Sequence, residues 1–191
     1  MKILTLLITL LSFTISNFSC AKSGTYEGIN YTIEPVYGRQ EVSIEKNSES
    51  LVTESYFGAR ITAFYKLLNL EGMYTRSDRG EFFSKDSGKT EGYSIERLKV
   101  GIQGSYNVLP SLTGIIRLGG DIKKVKEYTY IGTELVEQDN DPNFGPYFGL
   151  GIEFGIKIIS LTAGITTVFK GLPDDFLDND YQYTLGFKLR I

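Results

Sequence analysis

The chain has 191 residues, a formal charge of −3 and a mean hydropathy of −0.10, which is enough for one domain with a core and gives no reason to divide it. Its 21 Gly, 13 Tyr and 12 Phe beside only 5 Pro favour strands and tight turns, so the class is all-β. Mild acidity argues against nucleic acid as a partner. The absence of His removes the usual base of lipases, acyl-modifying barrels and proteases, so the chain reads as a non-enzyme.

Residues 1–21 read as a signal peptide: Lys2, an apolar run from Ile3 to Ile15, and Ser19 and Ala21 flanking a cleavage point after Ala21. Lipid attachment at Cys20 is the rival, set against Asn17 standing where such sites carry Leu. Residues 22–191 then form the mature domain. The signal contains one Lys and no acid, so the mature chain keeps 19 basic and 23 acidic residues, a charge of −4. With Cys20 gone it holds no thiol for a disulfide, for zinc or for nucleophilic work.

Eight segments of period-two alternation follow. The first, about Tyr31 to Ile44, slips near Pro35, which suggests a bulge or an irregular start. The second sets Phe57, Ala59, Ile61, Ala63 and Tyr65 against Gly58, Arg60, Thr62 and Lys66, and the third sets Leu68, Leu70, Gly72 and Tyr74 against Asn69, Glu71, Met73 and Thr75. The fourth opposes Leu98, Val100, Ile102 and Tyr106 to Arg97, Lys99, Gly101 and Gln103; the fifth opposes Leu112, Ile116, Leu118 and Ile122 to Thr113, Arg117, Gly119, Asp121 and Lys123. Phe148, Leu150, Ile152, Phe154 and Ile156 face away from Tyr147, Gly149, Gly151, Glu153 and Lys157 in the sixth. Leu161, Ala163, Ile165 and Phe169 oppose Thr162, Gly164, Thr166 and Lys170 in the seventh, and Tyr181, Tyr183, Leu185, Phe187, Leu189 and Ile191 oppose Gln182, Thr184, Gly186, Lys188 and Arg190 in the eighth.

The links alternate between short (66–68, 107–111 with Pro110, 158–160) and long and polar (45–53, 77–92, 127–143, 171–180). Short periplasmic turns and long outer loops have this rhythm in membrane barrels. No stretch after the signal approaches the roughly 20 apolar residues of a membrane helix, so a spanning chain must close its strands into a ring that pairs every backbone group. The expected fold is an eight-stranded antiparallel up-and-down transmembrane β-barrel, with Tyr65, Tyr74, Tyr106, Phe169 and Tyr181 at its interfacial ends.

In that arrangement Arg60, Glu71, Arg97, Lys99, Arg117, Asp121, Glu153, Lys157, Lys188 and Arg190 face inward as a lumen charge network. Eight strands leave room only for side chains, so these charges are expected to pair and plug the lumen; the alternative is a narrow solute channel, with inward glycines such as Gly101, Gly119 and Gly186 making space. Two acidic clusters, Asp139, Asp141 and Asn143, then Asp174, Asp175, Asp178 and Asp180, admit a calcium reading, but Phe144 and Leu150 occupy the positions of the Gly and Glu of a calcium-binding loop, and no metal or other cofactor is expected. Phe82, Phe83 and the 131–136 stretch could meet a partner or extend strands beyond the membrane. A soluble lipocalin-like barrel binding an apolar ligand would invert every face, burying Leu150, Ile152 and Phe154.

Over residues 22–191 the chain resembles the small outer-membrane barrels of the OmpA and OmpX type, in architecture rather than in a motif. The most specific local likeness is Thr184, Gly186, Leu189 and Ile191, similar to the C-terminal barrel-assembly signal, although Ile191 stands where that signal closes on Phe or Trp. The resemblance implies residence in a bacterial outer membrane and, as partners, membrane lipid and lipopolysaccharide, the barrel-assembly machinery and a surface ligand met through the loops. The function expected is a scaffold or surface-interaction barrel, with the channel and the soluble binder as alternatives.

Overall fold

A computed structural model describes residues 30–43, 51–65, 68–77, 80–84, 89–131, 134–156, 158–169 and 179–190. Within them lie ten strands: β1 (Asn30–Ser43), β2 (Leu51–Tyr65), β3 (Leu68–Ser77), β4 (Gly80–Ser84), β5 (Lys89–Leu109), β6 (Leu112–Ile131), β7 (Glu134–Asp139), β8 (Asn143–Gly155), β9 (Ile159–Val168) and β10 (Asp180–Arg190). Eight of these close a ring of antiparallel pairs, β1–β2–β3–β5–β6–β8–β9–β10, with β10 hydrogen-bonded back to β1. The ring leaves no edge along its wall.

The two remaining strands lie where sequence alternation fades and long polar links are expected. β5 and β6 run on past the ring, and there β4 pairs with β5 and β7 with β6, giving a four-stranded sheet β4–β5–β6–β7. Much of the expected 77–92 and 127–143 loops is therefore strand, and of the 131–136 stretch Ile131 ends β6 while 134–136 lie in β7. At the base of this sheet Tyr93 and Ile95 are buried against Val125 and form a small apolar cluster.

Pro35 makes no bulge, contrary to the expectation from sequence. Pairing with β2 runs unbroken from Asn30–Phe64 to Ser43–Leu51, and the register with β10 is the same on both sides of the proline, Ile33 with Leu189 and Val36 with Gly186. The ladder with β10 merely omits the intervening pairs, as a residue without an N–H requires. The alternation of β1 is complete: Tyr31, Ile33, Pro35, Tyr37 and Arg39 are exposed, while Thr32, Glu34, Val36, Gly38 and Gln40 are buried.

Faces elsewhere follow the same rule of two. Leu70, Val100, Ile152, Phe154 and Leu185 point away from the axis, with Leu185 62% exposed, while Lys99 and Arg117 are 2% and 3% exposed inside. The soluble lipocalin-like alternative needs the opposite arrangement and is overturned. From Leu98 to Val108 the outer face of β5 is apolar or aromatic except at Gly104. Those ten steps span about 33 Å along the strand and about 25 Å along the axis at a tilt near 40°, the height of the apolar band of a membrane barrel. Tyr31, Tyr37, Tyr74, Tyr106 and Tyr183 are exposed on the outer wall, and Tyr181 and Phe169 are partly so. The side chain of Tyr65 lies outside the described residues.

Candidate functional site

The lumen holds the chemistry of this molecule, and it is built strand by strand from the inward positions. On β1 and β2, Glu34 and Arg60 are register partners, and Arg60 Nη1 donates to Glu34 Oε1 at 2.8 Å. Glu71 on β3 lies 3.7 Å from Arg60 Nε and accepts from Arg117 Nε at 3.1 Å across the lumen and from the Tyr147 hydroxyl at 2.7 Å. The Thr162 hydroxyl donates to Glu34. Glu71 thus joins β2, β3, β6 and β8 through one carboxylate.

Toward the long-loop end, Arg97 donates to Asp121 at 2.7 Å and to Asp180, which also accepts from Lys123 at 3.1 Å. Lys99 donates to Gln182 and stands 5.6 Å from the centre of the Tyr147 ring. Gln182 donates to Gln40 at 2.9 Å, and Gln40 in turn donates to Glu54 at 3.4 Å. At the short-turn end, Lys188 donates to Glu153 at 2.5 Å, joined there by Ser160 at 2.7 Å and by Arg190. The Arg190 side chain is 43% exposed, at the rim rather than within the lumen. Lys157 lies outside the described residues.

Four acidic or basic members of this constellation were not singled out from sequence. Glu34 was hidden because Val36 inside and Arg39 outside blur the faces of β1 around Pro35. Glu54 precedes the first clear alternation of β2. Lys123 faces inward in the alternation of the fifth segment but is absent from the expected charge network. Asp180 was grouped with the acidic calcium-type cluster, yet it opens β10 inside the lumen against two cations. Pairing each inward cation with a needed partner would have asked for these acids.

The space beside several inward glycines is taken by other groups. A Cβ on Gly119 would meet Tyr147 Cε1 at 2.8 Å, one on Gly101 would meet the Tyr147 hydroxyl, and one on Gly38 would meet Tyr56 Cζ at 2.6 Å. One on Gly186 would meet Thr162 Oγ1 at 2.6 Å and the Glu34 carboxylate. The missing side chains are replaced by tyrosine rings and charged heads reaching across from other strands.

Among the described residues, six inward carboxylates (Glu34, Glu54, Glu71, Asp121, Glu153, Asp180) face six inward cations (Arg60, Arg97, Lys99, Arg117, Lys123, Lys188). Equal numbers matter because an uncompensated charge in such an interior is far costlier than a paired one. Thr32, Thr62 and Gln103 each keep a buried oxygen without a hydrogen-bond partner, and isolated waters would satisfy such atoms. Glu54 stands beyond Phe57, where the next described outward positions of β2 are the polar Ser55 and Thr53, and so above the membrane band. Burial pushes its carboxyl up to about 7, against the opposing pull of hydrogen bonds from Ser77, Gln40 and Tyr93 and of the Arg97 charge.

No group of three or more His, Cys, Asp or Glu suited to a metal ion gathers among the described residues. Asp141 and Asn143 are exposed, the side chain of Asp139 is not described, and Asp174, Asp175 and Asp178 lie outside the described residues.

No protein-family model and no curated protein matches the chain. Solved structures do. Ail, the attachment invasion locus protein of Yersinia pestis, in a complex with the heparin analogue sucrose octasulfate, is similar with a TM-score of 0.57 at 13% identity, over 85% of this chain and 99% of that one. Neisserial surface protein A is similar with a TM-score of 0.57 at 14% identity, over 86% of this chain and all of that one. With its closed antiparallel ring and apolar outer wall, the chain has the fold of the small eight-stranded transmembrane barrels of bacterial outer membranes.

Proposed function

We propose that this protein is a non-conducting, non-enzymatic scaffold of a bacterial outer membrane, exported by its 1–21 signal and presenting the β4–β5–β6–β7 sheet and long loops outside for contact with surface ligands. The observation that carries it is the balanced set of six acids and six cations, interlocked across the lumen through Glu71, Asp180 and Gln182. A fixed, charge-compensated interior serves rigidity, while a conduction path needs a continuous file of water. The buried orphan oxygens call for a few trapped waters, and these do not by themselves form such a file.

Contact through the outer sheet follows from its position rather than from any motif. Glu96, Lys126 and Glu137 line its outward side, Glu96 paired with Arg76 of β3 at 3.8 Å and Lys126 with Glu137 at 3.3 Å. The outer wall supports a lipid and lipopolysaccharide environment, and insertion falls to the barrel-assembly machinery.

Two measurements test this. In planar bilayers the purified protein gives no discrete conductance steps; steps of constant size in the wild type would establish the channel instead. On fractionation it sediments with outer membranes and shifts in gel mobility on boiling. Recovery in the soluble periplasm without a shift would reject membrane residence.

A further inference from the structure

Where β5 turns into β6 and β8 into β9, the apolar outer wall does not stop at the strand ends. A bulge on β5, between the pairs Asn107–Thr113 and Leu109–Leu112, leaves Val108 unpaired in the ladder and sets Leu109 on the side of Leu112, so that both reach the outer surface. On β8 every second residue from Phe144 to Ile156 is apolar, and the turn adds Ile158 before Ile159 opens β9. Ile156 and Ile158 are 72% and 65% exposed, and Val108 and Leu109 are more than half exposed. The two turns lie side by side, since Leu112 pairs with Phe154 and Gly155 N donates to the Ser111 carbonyl at 3.1 Å. Single exposed aliphatic side chains are ordinary, but a joined patch of them meets something other than water.

The backbone of both turns is tied inside the protein. Ile156 N donates to the Ile159 carbonyl at 2.9 Å, and the Ile158 carbonyl accepts from Arg190 N at 3.0 Å. Pro110 has no N–H to satisfy, and the Asn107 side-chain oxygen accepts from the Thr113 hydroxyl at 2.9 Å. A turn in water leaves such groups to solvent, whereas a turn in lipid must satisfy them internally. The patch also continues the lipid-facing wall without a polar break, Ile156 following Phe154 and Val108 following Tyr106. Tyrosines settle at headgroup depth, yet Val108 and Leu109 lie on the short-turn side of Tyr106, so on this sector the apolar boundary drops to the turns themselves. The sequence places one charge in the β8–β9 turn, Lys157, and a lysine stem is long enough to carry its ammonium out of an acyl layer to the phosphates.

We infer that the β5–β6 and β8–β9 turns are submerged in the acyl layer of the periplasmic leaflet and anchor the barrel on that side, instead of standing in periplasmic water. The inference rests on the membrane placement proposed above and is independent of whether the lumen conducts. Arg190, ion-paired with Glu153 at the lumen rim, borders the patch and sets its depth at the boundary between headgroups and acyl chains.

The chain has no Trp, so single Trp reporters test this directly. The mature protein carrying Leu109→Trp or Ile158→Trp is folded into nanodiscs of dioleoylphosphatidylcholine, with and without a portion brominated on its acyl chains. Phe154→Trp on the wall and Val136→Trp on the outer sheet serve as references. Both turn reporters emit to the blue and lose intensity to bromolipid as Phe154→Trp does, while acrylamide in the water quenches Val136→Trp alone. All four positions are exposed, so each variant retains its heat-dependent gel mobility. Turn reporters quenched by acrylamide and untouched by bromolipid would put the turns in water, and shielding from both quenchers would mean that protein, a second copy included, covers them; either result overturns the assignment. Failure of Phe154→Trp to respond to bromolipid would instead overturn the membrane placement, and the submerged turns with it.

Discussion

Removing Glu71 offers the sharpest measurement of what fills the barrel. Among the ion pairs described, Arg117 has this carboxylate as its acceptor, at 3.1 Å, and its side chain is 3% exposed. Arg60 keeps Glu34 at 2.8 Å, so the deficit falls on Arg117 and on the Tyr147 hydroxyl. Leaving one buried charge unpaired costs about 3–5 kcal/mol, and Glu71→Ala should destabilise the folded barrel by that amount. Glu71→Gln keeps an acceptor oxygen but no charge and should cost about half as much. Adding Arg117→Met to Glu71→Ala removes the stranded guanidinium and should restore most of the loss, because an apolar replacement of a buried pair is often neutral. The assay is urea unfolding in vesicles, followed by far-ultraviolet circular dichroism and gel mobility, since the chain has no Trp to report by fluorescence. A loss below about 1 kcal/mol in Glu71→Ala would mean that water solvates Arg117. That would refute the closed interior and favour a wet pore.

Three further outcomes follow from the same geometry. Gly186→Ala drives a methyl group into the Glu34 carboxylate and Thr162 and should cost about 1–3 kcal/mol in the same unfolding assay, because both neighbours are fixed by hydrogen bonds. Ile152→Lys places a charge in the apolar band and should cost about 2–4 kcal/mol if it lies near mid-membrane, read as a lower folded fraction on vesicle insertion. Glu54 has a folded pKa raised to about 7 from 4.5, so between these values the folded state holds a proton that the unfolded state has lost. Stability should fall as pH rises through that window, and Glu54→Gln should flatten the midpoint temperature against pH there; an identical slope in the variant would show that the carboxyl is hydrated.

The ring itself was legible because a wall with lipid on one side and packed charge on the other imposes a period of two on every strand. Leu150, Ile152 and Phe154 against Glu153 declare their faces without any tertiary information. The outer sheet was not legible for the complementary reason. Beyond Arg97, β5 reads Lys-Thr-Glu-Gly-Tyr-Ser-Ile-Glu, with no lipid on either side to demand alternation, and both Ser94 and Ile95 are buried there. Charge partners were harder still, since a face assignment says that Arg97 is inside but not that Asp180, 83 residues away, meets it.

The wall is sealed by the first and last strands, Tyr37 lying beside Leu185. Several interior contacts also wait for late residues: Glu34 for Thr162, 128 positions on, and Gln40 for Gln182, 142 positions on. A nascent or truncated chain thus carries raw edges and stranded ions that nothing yet translated can quench. Biogenesis must keep the polypeptide in custody until its final segment emerges, and then the whole cylinder has to zip shut as a unit.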